Sequence, residues 1–165
     1  KVREAGQLTD SVVVGVLRPV LLVPRGNPRK FTSIADLAEP GVRLGNGDPR
    51  YSTCGQMFVD LLKRKNLYDR VQPNITLESR SHTEIANGLI VGPLDAIVVW
   101  NYIAPLYAGK VQLVPDACRY PEVHITVVGL TQSPQPRLRD AFLEWCRSPE
   151  VQALFAKHGY GVATQ

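Results

Sequence analysis

The chain is poor in aromatic residues, which make up 7% of its 165 positions, and it carries a single Met. A single-stranded nucleic-acid surface needs stacking rings interleaved with a basic stripe. Here the basic residues are scattered, and the tightest group, Lys63-Arg64-Lys65, reads as a solvated helix face. Nucleic acid is therefore not an expected partner. Cysteine is also sparse: Cys54, Cys118 and Cys146 form no CxxC pair, and His82, His124 and His158 lie far apart. No zinc-ligand spacing results, so neither a metal nor a cofactor is expected. An odd number of thiols allows at most one internal disulfide. Long hydrophobic runs are missing as well. The stretch Val12 to Leu17 stops at Arg18, and Gly88 to Trp100 is broken by Pro93 and Asp95. Neither can span a bilayer as a helix.

What the chain does have is Gly and Pro, 13 of each, which excludes a plain helix bundle and predicts short elements joined by tight turns. Lys1 to Leu8 reads as the end of a helix. Residues 11–24, rich in Val and Leu with Pro19 inside, read as an extended segment followed by a strand. Thr32-Ser33 caps a short helix through Leu37, and Val42 to Leu44 is a short strand. A helix is predicted from Thr53 to Lys65, with Met57, Phe58, Leu61 and Leu62 on one face. Strands follow at Ile75–Glu78, Asp95–Trp100, Val111–Val114 and Val123–Val128, with a helix starting at Ser81-His82 and two more at about 135–146 and 149–158. Phe142 and Trp145, three apart on the first of these two, read as core, and His124 reads as a packed strand residue. Strands alternating with helices predict an α/β fold, a three-layer sandwich on a mostly parallel sheet.

Two strand-to-helix loops concentrate the candidate chemistry. Gly47-Asp48-Pro49-Arg50-Tyr51-Ser52-Thr53-Cys54-Gly55 offers Ser52 or Thr53 as N-cap, with small residues in the first helical turn. Glu78-Ser79-Arg80-Ser81-His82-Thr83-Glu84 carries a capping box, Ser81 with Glu84. In an open α/β sheet such helix starts lie at the carboxyl ends of strands, where ligands bind. Each N-terminus holds unpaired N–H donors and about half a positive charge, so two converging ones make an anion site. Arg50 and Arg80 either supply direct positive charge or, as Arg more often does, point into solvent.

The runs Val20-Leu21-Leu22-Val23-Pro24-Arg25-Gly26-Asn27-Pro28, Thr32-Ser33-Ile34-Ala35-Asp36-Leu37, and Gly41-Val42-Arg43-Leu44 with Gly47-Asp48-Pro49 and Gly55 resemble the periplasmic molybdate/tungstate-binding proteins of ABC importers. So do Gly92-x-x-Asp95-Ala96-x-x-Val99 and the ending with Ala141-Phe142-Leu143, Ser148-Pro149-Glu150 and Gly159-Tyr160-Gly161. The resemblance implies a lobe of the type II periplasmic-binding-protein fold, with a tetrahedral oxyanion held between two lobes. It implies that residues 1–11 end the first lobe and form a hinge, that 12–130 form the second lobe, and that 131–165 are helices returning to the first. The opening part of the first lobe, and any secretory leader, would lie before Lys1. In relatives the loop ends in Pro-Ala-Gly and the Ala N–H binds the oxyanion; here Thr53-Cys54-Gly55 stands in that place. A second backbone donor maps to Ser81-His82. Where relatives place a Tyr hydroxyl, this chain has Trp100, whose indole donates but cannot accept. Arg80 stands where many relatives have an acidic residue.

The implied function is solute capture for an ABC permease in the periplasm or outside the cell, with no covalent chemistry. A cytosolic oxyanion-sensing effector domain of a transcription regulator is the alternative, to be told apart by the upstream sequence. Cys54 at a helix N-terminus also raises a third option, a nucleophilic thiol.

Overall fold

The structure is a computed structural model, and it describes residues 6–115, 117–118 and 120–162. The strands are β1 (Leu8–Leu17), β2 (Pro19–Pro24), β3 (Leu44–Gly47), β4 (Ile75–Ser79), β5 (Ala96–Trp100), β6 (Val111–Leu113) and β7 (Val123–Leu130). The α-helices are α1 (Thr53–Arg64), α2 (Tyr68–Val71), α3 (His82–Ile90), α4 (Ile103–Leu106), α5 (Pro136–Arg147) and α6 (Pro149–Lys157). A 3₁₀ helix at Ile34–Ala38 starts with the reciprocal Ser33/Asp36 capping box. The chain divides into two compact units, Arg18–Pro121 and the pair of segments Lys1–Leu17 with Glu122–Gln165.

In Arg18–Pro121 a five-stranded sheet runs in the order β4-β3-β5-β2-β6. Strands β4, β3 and β5 are parallel, whereas β2 pairs antiparallel with both β5 and β6. The sheet is therefore mixed, and the expected parallel character is confined to β4-β3-β5. Both faces are covered, which is why β2 and β5 read as continuous apolar runs. Leu21, Val23, Ala96 and Val98 face a core with Phe58, Leu61 and Leu62 of α1. Leu22, Ile97 and Val99 face the opposite core with Ile85, Ala86 and Leu89 of α3. The result is helix–sheet–helix layering, as the α/β pattern predicts.

The strand predicted at Val42–Leu44 begins two residues later and runs to Gly47. Its start is pinned by Asp95 at the head of β5. The Asp95 carboxylate accepts from the Arg43 backbone N–H at 2.9 Å, from Arg43 Nη2 at 2.8 Å and from Arg29 Nη1 at 2.9 Å. Arg43 above all, with Arg29, holds the Asp95 carboxyl below the ordinary carboxylate range despite partial burial. A depressed folded pKa gives stability that is complete above the unfolded value and is lost as pH falls through the folded one. Asp95→Asn is expected to lower the urea midpoint near neutral pH and to flatten its decline in acid. An unchanged midpoint-against-pH curve would remove this role.

In the other unit β1 pairs antiparallel with β7, from Leu8↔Leu130 to Leu17↔Val123. Lys1 to Glu4 of the predicted helix, with Ala5, lie outside the described residues; Gly6 is in a turn and Leu8 already belongs to β1, so the later part of that reading is corrected. The small core joins Val14, Cys146 and Val151, with Val12, Ile125, Val127 and Phe155 around it. The Arg147 guanidinium pairs with Asp10. The buried stripe of α5 is Leu143 and Cys146, one position off the predicted one. Phe142 and Trp145 are exposed and pack on each other, with centroids 5.6 Å apart. His124 is likewise exposed, 3.6 Å from Glu122, because it alternates outward along β7.

Candidate functional site

The three parallel strands β4, β3 and β5 end side by side, with Gly47 opposite Ser79 and Asn46 opposite Val98. The loops leaving β3 and β4 are joined directly: Asp48 N–H donates to the Ser79 carbonyl at 3.0 Å. The Asp48 carbonyl then accepts from Tyr51 and Ser52 N–H, turning the chain into α1. Ser52 is the N-cap, and its hydroxyl accepts from Gly55 N–H at 3.3 Å. Of the two predicted caps, Ser52 therefore takes the role and Thr53 is the first helical residue.

Next door Ser81 caps α3 by accepting from Glu84 N–H at 3.3 Å. The reciprocal arm of the expected capping box is rerouted. Glu84 accepts from the Ser79 hydroxyl at 2.5 Å, and Ser79 Oγ accepts from Ser81 N–H at 3.0 Å. The Ser81 N–H is thus used inside the loop. Among the described residues, no acceptor meets the N–H of Thr53 and Cys54 in the first turn of α1, or of His82 and Thr83 in the first turn of α3. Four helix-start donors are therefore left available, at the positive ends of two helices.

His82 links the two starts. Its Nε2 lies 3.2 Å from Ser52 Oγ, and its Nδ1 accepts from the Trp100 backbone N–H at 3.4 Å. The imidazole and indole rings stack at 6.3 Å and 29°. Burial lowers the His82 pKa, so the ring is neutral near pH 7. Four of the five sequence-predicted residues, Cys54, Thr53, His82 and Trp100, are thereby brought to one end of the sheet, with Ser81 as the adjoining cap. Sequence reasoning missed Thr83 as a donor; its signal was the position after His82 in the first turn. It also missed Asn46, fully buried on β3 with neither side-chain polar atom hydrogen-bonded to the protein.

The charged rim differs from expectation. Arg50 is not a free cation: it chelates Asp48 with Nε at 3.0 Å and Nη2 at 2.8 Å. That pairing, above all, holds the Asp48 carboxyl low. Arg80 stacks on Tyr51, its guanidinium carbon 3.4 Å from the ring centroid, and has no carboxylate partner among the described residues. A hollow of about 280 Å³ lies along Pro49, Arg50, Tyr51, Ser52, Thr53 and Gln56.

Cys54 is fully buried among Phe58, Leu61 and Val98 in the core under α1. Burial, with Cys118 beside it, pushes its thiol far above the ordinary value. A thiol held protonated is no nucleophile at neutral pH, whatever the helix dipole offers. What Cys54 contributes is a small side chain in the core, with its backbone N–H in the first turn of α1.

An α/β fold with two open helix starts at its strand ends offers backbone N–H donors to a ligand. Comparison with known proteins gives the class. The chain belongs to the family of bacterial extracellular solute-binding proteins, which it matches over residues 1–161. The molybdate-binding protein ModA of Mycobacterium tuberculosis (strain H37Rv) is 28% identical over 143 residues, 86% of this chain and 52% of that relative. The chain spans a little over half the length of the curated relatives it matches. Among solved structures, a substrate binding domain from Clostridium difficile superposes with a TM-score of 0.79 at 16% identity, over 99% of this chain and 72% of that one. The periplasmic molybdate-binding protein of Azotobacter vinelandii gives 0.69 at 18% identity, over 99% and 73%. At these identities the structural likeness establishes the fold, that of the periplasmic binding proteins.

Proposed function

We propose that the chain is part of a solute-binding protein that captures a tetrahedral oxyanion, molybdate or tungstate, for an ABC importer. The observation that carries this reading is the set of four unpaired N–H groups of Thr53, Cys54, His82 and Thr83 at two adjacent helix starts. Neutral donors suit a dianion that must later be released, because each charge-assisted hydrogen bond contributes only about 1.5–3 kcal/mol net. Binding strength then comes from several such bonds made together. Ser81 orients the α3 start through its cap, and Trp100 adds an indole N–H that can donate to an anion but not accept. Arg80 adds positive charge at the rim. The ModA relatives, named as molybdate-binding, support the choice of anion.

In this reading residues 12–130 span one ligand-binding lobe, whose compact body is Arg18–Pro121, while 1–11 belong to the hinge and 131–165 join the other lobe. That second lobe supplies the remaining donors and excludes water. The permease is the macromolecular partner, and the periplasm or cell exterior is the place of work. The family match is to extracellular binding proteins and does not favour the cytosolic sensor.

The test is intrinsic tryptophan fluorescence and calorimetry on the whole protein with a panel of oxyanions. Molybdate or tungstate is expected to change the emission and release or absorb heat, while sulfate and phosphate do so weakly. Silence toward every oxyanion would sink the reading.

A further inference from the structure

Building on the oxyanion reading, we propose that His82 is a positioning residue that presents the Ser52 hydroxyl as a side-chain donor to the bound anion. The hydrogen-bond pattern leaves one consistent arrangement. The Trp100 N–H can only donate, so the Nδ1 that it meets at 3.4 Å carries no proton. A neutral imidazole then holds its proton on Nε2, which donates to Ser52 Oγ at 3.2 Å. Ser52 Oγ also accepts from Gly55 N–H at 3.3 Å. A hydroxyl has two lone pairs and one proton. Both acceptor places are filled, and among the described residues nothing accepts the Ser52 proton. Ser52 is therefore a donor only, next to the open N–H groups of Thr53 and Cys54. In the other neutral tautomer, Ser52 would donate to Nε2 and the proton on Nδ1 would oppose the Trp100 N–H. A doubly protonated ring loses the Trp100 bond in the same way.

The ionisable groups on the packed segments are Asp48, Arg50 and Tyr51 before α1, Cys54 in its first turn, Glu78, Arg80 and Glu84 around His82, and Tyr102 after β5. Asp48 is paired with Arg50, and Glu84 accepts from the Ser79 hydroxyl. The neutrality of His82 follows from its burial and not from any of these charges.

The test has two arms on the same protein. In ¹⁵N NMR, the His82 ring is expected as the Nε2–H tautomer at pH 7, and the Trp100 and Gly55 amides are expected to shift together as the ring titrates. A ring carrying its proton on Nδ1, or amides indifferent to that titration, overturns the proposal. In calorimetry with molybdate, Ser52→Ala and His82→Ala are each expected to weaken binding roughly tenfold, the worth of one hydrogen bond to a charge. The double variant is expected to lose no more than the larger single loss, because His82 acts through Ser52. Ser52→Thr, which keeps a hydroxyl, is expected to recover most of the loss. Additive losses, or Ser52→Ala binding as tightly as the parent, overturn the positioning role while leaving the oxyanion reading intact. A parent protein that binds no oxyanion overturns both.

Discussion

Gly55→Ala is expected to be the most damaging single methyl group that can be added to this chain. A Cβ at Gly55 would lie 1.8 Å from the Gly47 carbonyl oxygen and 2.6 Å from its carbonyl carbon. Both are backbone atoms at the end of β3, so no side chain can rotate away. Either α1 lifts off the strand end or the loop from Gly47 to Ser52 is rebuilt. Overpacking a core typically costs about 1–3 kcal/mol. A backbone-on-backbone overlap belongs at or above the upper end of that range. The denaturant midpoint should fall accordingly, and oxyanion binding should vanish with the displaced Thr53 and Cys54 donors. A Gly55→Ala protein with the parent's midpoint and affinity would mean that the close approach of α1 to β3 is wrong.

Cys54→Pro should cost binding heavily and stability moderately, the latter because the residue it replaces is fully buried under α1. The Cys54 N–H is in the first helical turn, where no intrahelical partner exists and proline is tolerated. Replacing it removes one donor to the proposed anion. At about 1.5–3 kcal/mol per charge-assisted bond, affinity for molybdate should drop by roughly ten- to a hundredfold. Proline also biases Thr53 away from the helical region, a modest extra cost. Cys54→Ala keeps the N–H and loses only the buried sulfur, so its binding loss should be a small part of that of Cys54→Pro. Calorimetry on the three proteins distinguishes an amide role from a thiol role. If Cys54→Pro binds as tightly as the parent, the first turn of α1 is not where the anion sits.

The loops carrying these residues were legible because their signals are local. Ser52 and Ser81 announce helix starts by side-chain chemistry alone, and Cys54 and Gly55 are small where a ligand has to come close. The pairing of Arg50 was not legible in the same way. Its partner Asp48 is two residues away, but whether a guanidinium folds back on such a neighbour or reaches outward depends on the turn between them. Phe142 and Trp145 show the limit of periodicity: the helix is correctly expected, but its buried stripe is set by what β1 and α6 offer to Cys146 and what β7 offers to Leu143.

Backbone propensity, caps and apolar runs are properties of neighbouring residues, so the sequence by itself determined the α/β class, most element positions and the two helix starts. Pairing direction, and contacts between separate elements, depend on how those elements meet. Only the tertiary structure decided that β2 runs antiparallel inside the sheet, that the Ser79 hydroxyl takes the place of the Ser81 N–H as donor to the Glu84 carboxylate, and that His82 reaches Ser52 across 30 residues and Trp100 across 18. The arrangement of open helix-start N–H groups belongs to that second group. An N–H is free only when the fold has given every nearby acceptor to something else.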